Sequence, residues 1–200
     1  MGISPVIASS NRAIFCDRDG VINELVYYSD SDEYESPRTP ADFVFLPNAI
    51  AALRQLKAQG WTLLLVSNQP SYAKGKTSLE NLHAVHALMH DQLQAHDIPF
   101  AQYYYCYHHP AAVVTELRGD TEFRKPNAGY LLLAQQQYHL DLASSWMVGD
   151  RDSDVLCGQR AGCETAQITY LHSRNHQGHS SPGVICSDLF DFARHIRSAL

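Results

Sequence analysis

Short, almost wholly apolar runs alternate along this chain with longer stretches in which apolar residues recur every three or four positions. The first kind suits a strand buried on both faces. The second suits a helix that rests one face on such a sheet. Residues 13–16, 61–66, 101–107, 146–148, 164–168 and 184–186 therefore read as strands, and 49–59, 78–95, 127–138, 152–161 and 189–196 as helices. The stretch 78–95 carries Leu79, Leu82, Val85, Leu88, Met89 and Leu93 as one stripe, with Thr77 or Ser78 to cap it and Glu80 in its first turn. Gly60 and Gly162 mark helix ends, and Pro126 marks a helix start. Strand and helix in alternation predict an α/β fold: a Rossmann-like, doubly wound parallel sheet with helices on both faces. Only 28–40, rich in Ser, Asp and Glu with two prolines, reads as a long surface loop. There is no repeat and no linker, so residues 1–200 are expected to form one domain.

Composition narrows the function more than the fold. The chain is 45% hydrophobic and 18% charged, with a net charge of −6, which disfavours a nucleic-acid partner. The longest apolar run, 61–66, falls far short of the roughly 18 residues of a membrane span. The opening MGISPVIASSNR has no basic region followed by an apolar core, so no secretory leader is expected. Five cysteines, an odd number without a dense framework, suit reduced thiols and a cytoplasmic monomer.

The chemistry lies where predicted strands end. Asp17-Arg18-Asp19 follows the first strand, Ser67-Asn68-Gln69 the second, and Gly149-Asp150 the strand at 146–148, while Arg124-Lys125 precedes a helix. In an open α/β sheet these ends share one edge, where ligands bind. Phosphoryl transfer fits the set. Asp17 can attack phosphorus, and Asp19 can protonate the leaving oxygen and then deprotonate water. Asp17 and Asp150, with Asp19 through its main-chain carbonyl, can hold Mg²⁺, which lets a carboxylate approach a phosphate dianion. Lys125 would neutralise the phosphate, and Ser67 would hydrogen-bond its oxygens. Each piece alone has an ordinary explanation as a turn acid, a helix-capping acid or a solvated cation. Their order along the chain favours the catalytic one.

FCDRDGVIN (15–23), VSNQ (66–69), RKP (124–126) and VGDRDSD (148–154) resemble the four motifs of the haloacid dehalogenase superfamily of phosphatases. AKGK (73–76) and YYCYHHP (104–110) extend the resemblance to the subgroup of heptose-bisphosphate and histidinol-phosphate phosphatases, over about 13–165. The resemblance implies Asp17 as nucleophile and Asp19 as acid/base. It implies Mg²⁺ at Asp17, Asp19 and Asp150, and the phosphoryl group at Ser67 and Lys125. Asn68, Gln69, Arg124 and Arg151 are implied substrate contacts, with a small sugar bisphosphate as substrate. Little or no cap domain is implied, in keeping with the short stretch between Asp19 and Ser67.

One departure concerns zinc. Many relatives hold a structural zinc through Cys-x-His and a later Cys-x-Cys. Here Cys106 and His108 remain, but Thr121 and Phe123 stand at the second pair, so no structural zinc is expected. Two other functions fit part of the pattern: the same hydrolysis on histidinol phosphate or another small ester, and a signalling receiver module that accepts phosphate on an aspartate.

Overall fold

The structure, a computed structural model, describes residues 11–198. Residues 1–10, where the leader was sought, lie outside the described residues, as do 199–200. In chain order the main elements are β1 (Ala13–Cys16), β2 (Val26–Tyr28), β3 (Glu33–Glu35), α1 (Ala49–Ala58), β4 (Thr62–Asn68), α2 (Leu79–Ala95) and β5 (Gln102–Cys106). There follow α3 (Gly129–Tyr138), β6 (Trp146–Gly149), α4 (Asp152–Ala161), β7 (Glu164–Ile168), β8 (Val184–Cys186) and α5 (Leu189–Ser198).

Six strands form one sheet in the order β5-β4-β1-β6-β7-β8, every pairing parallel. Alternation along each strand sorts its side chains between two cores. Ile14, Cys16, Leu63 and Leu65 face Leu53, Leu56, Val85, Met89, Leu93 and Phe192, so α1, α2 and α5 cover that side. Ala13, Phe15, Leu64 and Val66 face Leu131, Ala134 and Cys157, so α3 and α4 cover the other. Leu65 is fully buried, and truncating it to alanine would cost about 2–5 kcal/mol. The chain leaves β1 toward β4 and β5, then returns to build β6, β7 and β8 on the other side. That reversal opens a crevice beyond the carboxyl ends of β1 and β6. The sheet matches the expected α/β class. No helix among the described residues is long and apolar enough to cross a membrane.

Two expectations change. The segment 28–40 is not merely a loop, because β2 and β3 pair as an antiparallel hairpin within 26–35. Its polar sequence hides the pairing. What holds it is the Tyr27–Tyr34 cross-strand contact (5.5 Å) and the Arg38 guanidinium 3.8 Å over the Tyr28 ring. The helix expected from 127 begins at Gly129, because the Asn127 side chain donates to the Thr121 carbonyl (2.9 Å) and holds the chain in a turn first.

Candidate active site

The turn after β1 is built around a buried arginine. Arg18 is 1% exposed; its Nη2 donates to Asp19 Oδ1 (3.0 Å) and to Gln69 Oε1 (2.8 Å). Asp19 also accepts from Asn23 (2.9 Å), Ser36 (2.9 Å) and Gln69 Nε2 (2.5 Å). Burial pushes the Asp19 carboxyl up, but Arg18 and these three donors outweigh it and hold the pKa below its ordinary value. Gly20 closes the turn at φ +77°, and a Cβ there would lie 2.2 Å from Asp150 Oδ2. Only glycine serves both demands.

Asp17 stands at the end of β1, its amide bonded to Val148 O (2.9 Å) and its Oδ1 accepting from the Arg18 amide (2.7 Å). Lys125 Nζ lies 2.9 Å from Asp17 Oδ1 and 2.6 Å from Asp154 Oδ1, and donates to Val66 O (2.8 Å). Burial lowers the lysine pKa, yet Asp154 and Asp17 more than reverse that, so the ammonium stays charged. Asn68 fixes the lysine's main chain from β4: Nδ2 donates to Lys125 O (3.0 Å), and Lys125 N donates to Asn68 Oδ1 (3.1 Å). Asp154 sits in the first turn of α4, where its Oδ2 caps the Arg151 amide (3.0 Å).

Asp150, at the end of β6, is fully buried, and neither of its oxygens accepts a hydrogen bond among the described residues. The Ser173 hydroxyl donates to Tyr170 O (3.3 Å) and opposes the rise of the Asp150 pKa only weakly. Burial, then the charges of Asp154 and Asp17, raise the Asp150 pKa. One oxygen from each of Asp17, Asp150 and Asp154 lies within 4.8 Å of the others. A bare buried carboxylate beside two more is the donor set of a hard divalent cation, and Mg²⁺ fits it. The Asp19 side chain is not in this trio. Asp154 is, although it received no role from the sequence.

A cavity of about 480 Å³ opens over these groups, a size usual for small-molecule sites. Asp17, Asp19, Asn68, Arg124, Lys125 and Arg151 all line it. Ser67 and Gln69 do not; they stand behind the wall, joined by a 3.0 Å bond from Gln69 Nε2 to Ser67 Oγ. The hairpin supplies Glu33, Tyr34, Glu35 and Ser36, and the segment after β4 supplies Lys74 and Lys76.

This arrangement recurs in known proteins. The chain is 36% identical over 160 residues, 80% of its length, to the D-glycero-beta-D-manno-heptose-1,7-bisphosphate 7-phosphatase of Escherichia coli (strain K12), covering 79% of that protein. It belongs to this family. The HAD-hydrolase-like model matches residues 122–191, which hold Lys125, Asp150 and Asp154. Another member, the D-glycero-alpha-D-manno-heptose-1,7-bisphosphate 7-phosphatase of Burkholderia mallei, is 34% identical over 79% of each chain. The crystal structure of D,D-heptose 1.7-bisphosphate phosphatase from B. bronchiseptica, complexed with magnesium and phosphate, superposes with a TM-score of 0.80 at 28% identity, over 94% of this chain and 99% of that one. The phosphatase described here is likewise a small fold with no large cap. At its zinc positions the Phe123 ring packs 4.7 Å from Tyr130, which stacks 4.9 Å from Tyr104. Cys106 is buried beside them, and no acid, histidine or cysteine completes a metal cluster with it among the described residues. The residues present do not fit a tetrahedral zinc.

Proposed function

We propose that the chain removes the 7-phosphate of D-glycero-D-manno-heptose 1,7-bisphosphate through a phospho-aspartate on Asp17. The observation that carries this reading is the meeting of three groups beneath one cavity: Asp17, the doubly paired Lys125 and the bare Asp150. The activities named for its relatives support the substrate, and the magnesium in the B. bronchiseptica structure supports the cation.

An Asp17 carboxylate oxygen forms a bond to phosphorus as the bond from phosphorus to the C7 oxygen breaks. Asp19, ionised in the free protein, takes up the proton that the phosphate monoester brings and passes it to that oxygen. Asp19 then takes a proton from water, whose oxygen bonds to phosphorus and releases Asp17 and inorganic phosphate. Lys125 holds a phosphoryl oxygen beside Asp17, while Asn68 fixes Lys125. Mg²⁺, held by Asp17, Asp150 and Asp154 with the Asp19 main-chain carbonyl, neutralises charge between carboxylate and phosphate. Arg124 and Arg151 contact the sugar. Ser67 and Gln69 support this reading differently from the sequence expectation: Gln69 orients Asp19 and reaches Ser67. The five cysteines, all buried and unpaired, support a reducing compartment, the cytoplasm.

Asp17→Asn tests the mechanism. It removes the nucleophilic charge with almost no change in volume, so turnover of the heptose bisphosphate should fall by about four factors of ten or more. Retention of about a tenth of the activity would exclude the covalent route. Wild-type preference for histidinol phosphate would overturn the substrate and leave the mechanism standing.

A further inference from the structure

Residues 169–183, the connection between β7 and β8, also reach the cavity. They open with a 3₁₀ turn over Leu171–His176, and His176 lines the same cavity as Asp17. The connection is pinned on both sides of this histidine. Before it, Tyr170 Oη accepts from the Leu25 amide (3.3 Å), and the His172 ring stacks on Tyr34 of the hairpin. After it, Asp152 Oδ1 accepts from the Ser180 amide (3.0 Å) and from the Ser180 hydroxyl, and Gln159 Nε2 donates to Ser181 O (2.8 Å). Gly178 passes so close to α4 that a Cβ there would lie 2.4 Å from the Asp152 carboxyl carbon. His176 is thus carried between fixed points, while its own ring makes no hydrogen bond, ion pair or ring contact among the described residues.

Strand order decides which groups surround it. The segment after β4 brings Lys74 and Lys76 to one side of β1. The segments after β6 and β7 bring Ser153 and His176 to the other, and the hairpin adds Glu33. Desolvation, then the charge of Arg151, holds the His176 pKa below its ordinary value against the pull of Glu33. The imidazole is therefore neutral near pH 7 and offers one donor and one acceptor. Ser153 offers a hydroxyl and Glu33 a carboxylate, and neither side chain has a hydrogen bond or ion pair among the described residues. A phosphate dianion would meet the Glu33 charge here. Hydroxyl groups, which both donate and accept, match all three side chains.

We propose that His176, with Ser153 and Glu33, recognises hydroxyl groups on the carbon chain of the substrate, which makes His176 a specificity-determining residue for polyhydroxylated phosphate esters. This role rests on the phosphatase reading, and not on which sugar is cleaved.

Two measurements test it. The first compares inhibition of p-nitrophenyl phosphate hydrolysis by fructose 1,6-bisphosphate and by hexane-1,6-diol bisphosphate, an open chain with the same phosphates and no hydroxyls. Wild type should bind the sugar more tightly. His176→Ala should lose about three- to tenfold of that preference, and His176→Asn, whose amide also offers donor and acceptor, should keep most of it. The second is kcat/KM on heptose 1,7-bisphosphate, which His176→Ala should lower by a similar factor relative to p-nitrophenyl phosphate, mainly through KM. Equal inhibition by the two bisphosphates in wild type, or a His176→Ala that weakens both alike, overturns the proposal. The expected inhibition pattern supports it even if heptose bisphosphate proves a poor substrate, a result that would overturn the sugar alone.

Discussion

Asp19 and Asp150 are both buried carboxylates at the carboxyl edge of one sheet, and the protein treats them in opposite ways. Asp19 is saturated by Arg18, Asn23, Gln69 and Ser36, and its pKa is held down. Asp150 has at most the Ser173 hydroxyl to turn to, and burial with its acidic neighbours drives its pKa up. The fold solvates the first with its own dipoles and leaves the second to a ligand from solution. A proton-transfer group must keep its position when no substrate is bound. A cation ligand can stay unsatisfied until the cation arrives.

The same Asp-to-Asn change should therefore act in opposite directions at the two sites. Asp150→Asn should lower kcat about a thousandfold or more, while the magnesium-free protein keeps or gains thermal stability because one of three crowded charges is gone. A clear fall in its melting temperature would mean that Asp150 already has a partner. Asp19→Asn leaves Arg18 buried without its counter-charge, and denaturant unfolding should show a loss of about 3–5 kcal/mol.

Magnesium at a hundred times its Kd should stabilise the wild type by about 2.7 kcal/mol, and calorimetry should find this gain absent in Asp150→Asn. The two carboxylates also predict opposite pH slopes. Asp150, with its folded pKa raised, costs the magnesium-free protein stability as pH climbs above the ordinary carboxylate range. Asp19, with its folded pKa lowered, contributes stability above that range and loses it as pH falls. Magnesium should flatten the first slope and leave the second. The smallest effect is expected at Cys106, where a strong zinc chelator should leave the melting temperature unchanged. Melting on chelation would show that a metal holds the loop in place of the Phe123–Tyr130–Tyr104 stack.

The sheet was legible because apolar runs and helical stripes repeat cleanly, and the edge was legible because polar residues end those runs. Function inside the edge was harder to read. Asp154 stands third in a helix, where an acid has an ordinary capping role, and it does cap the Arg151 amide while its other oxygen meets Lys125. One side chain doing both cannot be told from a simple cap by sequence. Arg18 carries a charge that composition assigns to the surface, yet it is buried because Asp19 and Gln69 satisfy its donors. Asn68 reads as a substrate contact, but its amide is committed to the Lys125 main chain. Lys74 and His109 lie in recognisable motifs, and the β4–β5 pairing with the pinning of Ala73 to Val113 and Val114 brings their segments together.

The hairpin of β2 and β3 is buttressed on two sides. Glu35 pairs with Lys76 and the Arg38 carbonyl accepts from Thr77 (2.6 Å) on one side, while Tyr34 stacks 3.7 Å from His172 on the other. Glu33 to Ser36 thus overhang the cavity as a braced ledge and not as a free flap. Such a ledge would limit the width of what reaches Asp17. A phosphorylated side chain on a folded protein brings a broad backbone surface that would meet the hairpin before phosphorus reached Asp17. A free sugar phosphate brings nothing wider than itself. Any discrimination by width would in this way rest on residues 26–36, separate from the charges that line the cavity.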